Sequence, residues 1–217
     1  MIKKVVLLIL TLISSNMYAQ KSFLALGDSY TIGESVDESG RWPIQLVNRL
    51  NAKGYSIDEP LIIAKTGWRT DDLAGAIGST ELLANYDLVS LLIGVNNQYQ
   101  GKSVVSYIPE FKGLLETAIT LAGGNKDHVF VVSIPDYGFT PFGLAKKDKI
   151  SKELDAYNAA NKALAAEFGV KYYNITDISR SDKAELVAAD GLHPSAIQYG
   201  LWVDVLMADP EFIKMLK

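Results

Sequence analysis

The 217-residue sequence contains no cysteine and only two histidines, and both scarcities limit the chemistry that the chain can carry. Without cysteine there is no disulfide, no thiolate nucleophile, no cysteine metal ligand and no lipid-modified cysteine. The two histidines, His128 and His193, are far apart, and no His-Glu-x-x-His segment is present. We therefore expect no metal site.

An excess of positive charge is also missing. The chain has 21 basic and 25 acidic residues, a net charge of −4, so nothing indicates binding to nucleic acid or to an anionic membrane surface. Apolar residues make up 48% and charged residues 21%, which is typical of a globular domain, and the length suits one domain.

The one continuous apolar stretch at the N-terminus is too short to span a membrane. Lys3 and Lys4 precede an apolar segment, Val5 to Ile13, and a polar segment ends at Ala19. This order is typical of a cleavable signal peptide. We expect residues 1–19 to be that peptide, residues 20–217 to be a single domain, and the mature protein to be periplasmic or extracellular without stable membrane insertion.

Short apolar runs alternate with longer stretches of helical period, which predicts an α/β fold with a parallel sheet covered by helices on both sides. One helical stripe is Val104, Ile108, Phe111, Leu115 and Ala118; another begins at Ile150 and ends at Gly169. A last helix is predicted to begin at Pro194. The strands are predicted at Ser22–Leu26, Ile57–Ala64, Leu88–Ile93, Val129–Ile134 and Val170–Asn174.

Each segment with chemically useful residues follows the end of a predicted strand. These segments are Gly27-Asp28-Ser29-Tyr30, Thr66-Gly67-Trp68, Gly94-Val95-Asn96-Asn97, Pro135–Gly143 and Asp190–Pro194. Ligands of parallel sheets bind beyond the carboxyl ends of the strands, so the five segments are expected to meet at one edge.

His193 is the better histidine for catalysis, because His128 stands at the start of a predicted buried strand on the opposite edge. Asp190 lies three residues before His193 in a turn with Gly191, so its carboxylate could orient the imidazole as a base. A helix-capping turn is the alternative interpretation of this pair. Ser29 could be the nucleophile that such a base activates, although a serine after a strand also serves as a helix cap.

An acyl transfer reaction needs hydrogen-bond donors for the developing oxyanion. The backbone N–H groups of Ser29 and Gly67 and the side-chain amide of Asn96 are available at neighbouring strand ends. Taken singly, glycine and asparagine at such positions are more often turn residues than oxyanion donors, which is the alternative interpretation of Gly67 and Asn96. Aromatic side chains near these segments are candidates for substrate contact, and the segment Pro135–Gly143 is a candidate for a mobile rim. The candidate substrate residues are Tyr30, Trp68, Tyr137 and Phe139.

Four short motifs together resemble the sequence blocks of SGNH (GDSL-like) hydrolases: Gly27-Asp28-Ser29-Tyr30, Gly67, Gly94-x-Asn96 and Asp190-x-x-His193. The resemblance implies a three-layer α/β/α sandwich on a five-stranded parallel sheet, a flavodoxin-like arrangement. It also implies that Ser29 is the nucleophile and His193 the base, that Asp190 orients His193, and that Ser29, Gly67 and Asn96 form the oxyanion hole. Tyr30 and Asn97 replace the leucine and the aspartate common in the first and third blocks, so a role of that aspartate does not transfer.

The expected function is a secreted serine esterase that cleaves carboxylic esters through an acyl-enzyme on Ser29, with no cofactor. Short acyl or acetyl esters of carbohydrates, or lysophospholipid-like esters, are the expected substrates. An acyltransferase acting on a sugar or another alcohol and a non-catalytic binding module remain as alternatives. The missing Gly-x-Ser-x-Gly elbow argues against the α/β-hydrolase fold.

Overall fold

Five parallel strands form the centre of the fold in the computed structural model, which describes residues 20–216. Their order across the sheet is β2–β1–β3–β4–β5. The predicted five-stranded parallel sheet is confirmed, and its order is the flavodoxin-like one. The strands are β1 (Phe23–Asp28), β2 (Leu61–Lys65), β3 (Leu88–Leu92), β4 (Val129–Val132) and β5 (Lys171–Tyr173).

Helices follow the strands within the described residues. They are α1 (Ser29–Ile32), α2 (Trp42–Ala52), α3 (Thr70–Ser79), α4 (Val95–Tyr99), α5 (Val104–Leu121), α6 (Lys147–Phe168), α7 (Thr176–Ser179), α8 (Ala196–Ala208) and α9 (Pro210–Met215). Helices α3, α5 and α6 pack in one layer, and α2, α8 and α9 pack in another. The sheet is thus covered by two helical layers, as predicted. The predicted signal peptide, residues 1–19, lies outside the described residues.

Aromatic side chains tie the second helical layer to the sheet. Phe130 of β4 packs edge-on against Trp42 of α2 and Phe212 of α9, with ring centroids 6.3 and 5.5 Å away. All three rings are buried. Strands β1, β3 and β4 are buried along their whole length, which explains why their sequences are apolar without alternation.

The carboxyl ends of β1, β2 and β3 lie level with one another. Gly27 pairs with Ala64 of β2 and with Leu92 of β3, so the segments after these strands leave the sheet at the same edge. Position 27 requires glycine, because a Cβ atom there would clash with the Thr31 side chain and the Leu92 carbonyl. This close approach fixes the backbone that precedes Ser29.

Strands β1 and β4 end two residues away from their predicted ends, at Asp28 and Val132 instead of Leu26 and Ile134, and two predicted element starts are also wrong. Strand β2 begins at Leu61 and not at Ile57, which makes only an isolated bridge with Lys21. Pro60, which has no N–H for a sheet hydrogen bond, precedes the strand. The last predicted helix begins two residues later than expected, at Ala196, because Pro194 forms a bridge with Val187.

The predicted stripe of α5 is partly wrong. Ile108 is 38% exposed, and Tyr107 takes its place in the core, where its hydroxyl donates to the Ile93 carbonyl at 2.9 Å. A buried tyrosine hydroxyl needs a partner, and here Asn161 Oδ1 of α6 also accepts from it at 2.8 Å. The stripe of α6 is confirmed, and that helix ends at Gly169 with φ of 69°.

Candidate active site

Ser29 is the first residue of α1 and directly follows the buried strand β1. The Asp28 carboxylate accepts a hydrogen bond from the Tyr30 N–H at 3.0 Å and so caps this short helix. Ser29 is only 4% exposed, and it lines a cavity of about 180 Å³ at the carboxyl edge of the sheet. Its position is therefore set by a rigid strand and a capped turn.

Asp190 and His193 form a hydrogen-bonded pair on the loop before α8. His193 Nδ1 lies 2.6 Å from Asp190 Oδ2, while Asp190 Oδ1 accepts from the N–H groups of Leu192 (2.9 Å) and His193 (3.0 Å). Burial opposes ionisation of Asp190, but hydrogen bonds from Ser35, His193 and these N–H groups hold its pKa well below its usual range. An ionised Asp190 favours the tautomer in which the His193 Nε2 atom can accept a proton.

Gly67 and Asn96 lie on the other side of the same cavity. Gly67 has φ of +86°, a conformation that side chains other than hydrogen adopt only under strain. The Asn96 amide donates one hydrogen bond to the Trp68 carbonyl at 2.9 Å, which orients the amide and leaves its second N–H available. The arrangement can present a backbone and a side-chain donor to one oxygen atom.

The cavity brings together most of the residues that the sequence predicts for the site, but two of the aromatic candidates lie outside it. Trp68 and Phe139 do not line it, and the Phe139 ring instead packs beneath Lys147 Nζ at 3.7 Å. Tyr99 and Phe142 occupy the rim in their stead. The lining residues are Ser29, Tyr30, Thr66, Gly67, Val95, Asn96, Tyr99, Tyr137, Phe142, Leu192 and His193.

A second, larger cavity of about 470 Å³ adjoins the first. The two cavities share three aromatic residues, Tyr99, Tyr137 and Phe142, whose ring centroids lie 6.1–6.3 Å apart. The Tyr99 and Phe142 side chains are 59% and 53% exposed, whereas Tyr137 is buried. An aromatic wall with an exposed rim thus separates the cavity at Ser29 from a groove between α4, α5 and α6.

Asn97, which replaces the aspartate common in the third sequence block, forms buried hydrogen bonds that join neighbouring helices. It is 1% exposed, and its side chain bonds the Thr70 N–H at 3.1 Å, the Thr70 hydroxyl at 2.6 Å and the Glu110 carboxylate at 3.2 Å. These contacts join the start of α3 to α5. Asn97 does not line the cavity at Ser29.

Three residues of this region were missed as functional candidates in the sequence. Phe142 lies in the segment predicted as a rim, so its aromatic ring was a usable signal. Ser35, whose hydroxyl contacts Asp190, is 155 positions away from it, and no local pattern links the two. Asp28 is fully buried, and burial raises its pKa to about 7; a motif shows the residue type but not its degree of burial.

The sequence profile of the GDSL-like Lipase/Acylhydrolase family matches residues 25–201, which include all four motif segments. The chain belongs to this family. Among curated protein sequences, none matches it. The membership agrees with the observed sheet order and with the place of the four segments at one sheet edge.

Solved structures similar to this GDSL-like chain include three esterases. The acetyl xylan esterase AlAXEase has 16% identity and a TM-score of 0.70, covering 86% of this chain and 98% of that one. A mutant of Axe2, an acetyl-xylooligosaccharide esterase from Geobacillus, has 18% identity, a TM-score of 0.68 and coverages of 88% and 94%. The esterase EstA from Pseudoalteromonas has 17% identity, a TM-score of 0.63 and coverages of 87% and 96%. At these identities the likeness concerns the fold.

Two further observations concern residues 20–216. No helix there is both long and apolar enough to cross a membrane. No group of three or more His, Asp or Glu side chains there is placed to hold a metal ion.

Proposed function

We propose that the chain is a serine esterase that hydrolyses short acyl esters, foremost acetyl esters of carbohydrate alcohols, through an acyl-enzyme on Ser29. One observation carries the proposal: Ser29, the donors Gly67 and Asn96, and the Asp190-paired His193 line one cavity. A nucleophile, a base with its orienting carboxylate and oxyanion donors are the groups that acyl transfer requires.

In the first half of the reaction, Ser29 Oγ attacks the ester carbonyl carbon while His193 takes the hydroxyl proton. The resulting oxyanion accepts hydrogen bonds from the Ser29 and Gly67 N–H groups and from the Asn96 amide. The bond between carbonyl carbon and alcohol oxygen then breaks as His193 returns the proton to that oxygen. Water repeats the sequence on the acyl-enzyme and releases the carboxylic acid.

The size of the cavity supports a short acyl group. A volume of about 180 Å³, lined by Leu192 and Phe142 among others, accommodates only a few carbon atoms beside the ester itself. The adjoining groove of about 470 Å³ is large enough for the alcohol portion, and its rim carries the exposed rings of Tyr99 and Phe142. Exposed aromatic rings beside polar groups suit sugar rings better than an acyl chain. Two similar structures are named as acetyl esterases of xylan or xylo-oligosaccharide.

The segment at residues 1–19 supports an extracytoplasmic site of action, where acylated polysaccharides are found. Mass spectrometry of the mature N-terminus after expression from the full sequence tests this part of the proposal, with Gln20 expected as the first residue.

Replacement of the nucleophile tests the mechanism. Ser29→Ala should lower kcat/KM for p-nitrophenyl acetate by several orders of magnitude, because no other serine lines the cavity within the described residues. Ser39→Ala, at an exposed serine of the following loop, is the matched control and should keep wild-type activity. A fluorophosphonate should label Ser29 in the control and not in Ser29→Ala. Activity retained in Ser29→Ala would refute the esterase.

A panel of esters tests the substrate class separately. We expect kcat/KM for p-nitrophenyl esters to fall as the acyl chain lengthens beyond butyrate, and acetate to be released from acetylated xylo-oligosaccharides. A preference for long acyl chains or for a lysophospholipid would refute the acetyl carbohydrate ester while leaving the serine mechanism intact. Transfer of the acetyl group to added sugar in preference to water would show an acyltransferase.

A further inference from the structure

The turn that follows the helix of the candidate nucleophile has an unusual backbone. Ser35 has φ of 65°, and within residues 20–216 it is the one residue other than glycine with a positive φ. This conformation is uncommon for serine. The turn is also fastened to Ser29, whose carbonyl accepts from the N–H groups of Gly33 and Glu34 at 3.0 Å each.

The side chain of Ser35 reaches the acid–base pair. Its hydroxyl donates to Asp190 Oδ2 at 2.6 Å, and this oxygen is the one that faces His193 Nδ1 at 2.6 Å. The other three donors to the Asp190 carboxylate belong to the Asp190 loop itself, namely Leu192 N, His193 N and His193 Nδ1. Within residues 20–216, Ser35 therefore supplies the one hydrogen bond that joins this carboxylate to the segment carrying Ser29.

The neighbouring residue of the same turn makes an equivalent contact on the opposite side. The Thr66 hydroxyl donates to the Glu34 carboxylate, and Thr66 precedes Gly67 on the loop after β2. The turn thus lies between the loop of the acid–base pair and the loop of the backbone oxyanion donor. The left-handed backbone at residue 35 lies between the two contacts in sequence order and sets the direction in which the Ser35 side chain leaves the turn.

We propose that Ser35 is a positioning residue, which holds the Asp190 carboxylate so that His193 is aligned with Ser29. The inference rests on the proposed function, since it requires Ser29, His193 and Asp190 to be the catalytic groups. A hydroxyl that donates to a carboxylate also spreads its negative charge, which weakens its pull on the imidazole proton. Ser35 is exposed, so a bond that served stability alone would contribute little.

Two substitutions separate the hydroxyl from the backbone. Ser35→Ala removes the hydroxyl and keeps the strained φ, whereas Ser35→Gly removes both the hydroxyl and the strain. Both should lower kcat/KM for p-nitrophenyl acetate about 10-fold, mainly through kcat, as expected for loss of a hydrogen bond to a charged group. Both should also move the acidic limb of the kcat/KM profile to higher pH. Thermal unfolding should rank Ser35→Gly at or above the wild type and Ser35→Ala below it.

A matched control removes the same kind of contact at the opposite edge of the sheet. The Ser22 hydroxyl donates to Asp87 Oδ2 at 2.9 Å where β1 and β3 begin. Ser22→Ala should leave kcat/KM and its pH profile unchanged, whatever its effect on unfolding.

The outcomes distinguish this inference from the proposed function. If Ser35→Gly keeps the wild-type kcat and pH profile while Ser29→Ala is inactive, Ser35 does not position the pair, and the esterase stands. If activity of the Ser35 variants merely follows their unfolding temperatures with an unchanged pH profile, the role is structural and the inference is overturned. If Ser29→Ala itself stays active, the proposed function fails first.

Discussion

Replacement of Asp28 by asparagine should reveal a carboxyl group that destabilises the folded protein at neutral pH. The Asp28 side chain is completely buried, with Oδ1 accepting from the Tyr30 N–H and Oδ2 without a hydrogen-bond partner in the described part of the chain. Burial raises the pKa of this carboxyl to about 7, although backbone N–H groups oppose the rise. Asparagine has the same shape and can still accept from Tyr30, but it carries no charge at any pH.

The size of the destabilisation follows from the difference between the pKa of Asp28 in the unfolded and in the folded protein. The carboxyl has an ordinary pKa of 3.8 and a folded-state pKa of about 7, and each tenfold change in proton affinity is worth about 1.36 kcal/mol. The ionised group therefore costs the folded state on the order of 4 kcal/mol above pH 7. Because the folded pKa is raised, this cost is absent below pH 3.8, grows between pH 3.8 and 7, and is then constant.

The assay is urea unfolding of the wild type and Asp28→Asn at pH 4, 5, 6, 7 and 8. The unfolding free energy of Asp28→Asn minus that of the wild type should rise by roughly 4 kcal/mol between pH 4 and pH 8. Asp209→Asn is the matched control: this carboxylate also caps a helix, bonding the Glu211 N–H at 3.0 Å, but hydrogen bonds outweigh partial burial and lower its pKa. The difference in unfolding free energy between Asp209→Asn and the wild type should not change with pH above pH 5. If the difference for Asp28→Asn did not change with pH either, the raised pKa of the buried Asp28 carboxyl would be refuted.

Two other predictions concern the oxyanion donors. Asn96→Ala should lower kcat about 100-fold or more with little change in unfolding temperature. Asn97→Ala should instead lower the unfolding free energy by about 1–3 kcal/mol, because it leaves the buried Thr70 N–H without its acceptor. If both variants lost activity only in proportion to their loss of stability, these separate roles of Asn96 and Asn97 would be contradicted. A Cβ at Gly67→Ala meets no neighbouring atom, but alanine is strained at φ of +86°. Either the folded state loses about 1–2 kcal/mol with the N–H in place, or the backbone shifts, the N–H is displaced and kcat falls. Unchanged kcat and stability in Gly67→Ala would exclude an oxyanion role for that N–H.

The sheet and the meeting of the motif segments were predictable because both depend on local signals. Buried parallel strands leave apolar runs, and residues after such strands meet at one edge whatever the details of the helices. Side-chain direction was less predictable. Trp68 and Phe139 lie in the expected segments, yet neither ring lines the cavity. The Trp68 carbonyl accepts from Asn96, and the Phe139 ring packs under Lys147.

Long-range pairings escaped prediction altogether. The contact of Ser35 with Asp190 joins residues that are far apart in sequence, and only the folded turn with its positive φ brings them together. The helix boundary at Pro194 was misplaced for the same reason. Proline suits a first helical position, but here a bridge to Val187 holds it outside the helix and Ser195 becomes the cap.

Tyr137 and Phe142, two of the three rings of the aromatic wall, come from the segment between β4 and α6, which holds none of the residues proposed to cleave the ester. Under the proposed function, the aromatic residues that would contact the substrate and the residues that would cleave the ester thus lie largely in different segments of the chain, so that one segment can change while the other is kept. One main-chain hydrogen bond within residues 20–216 limits that freedom: the Phe142 N–H donates to the Gly191 carbonyl at 3.0 Å, two residues before His193. Any exchanged segment that preserves this link could bring a new binding surface to an unchanged reaction centre.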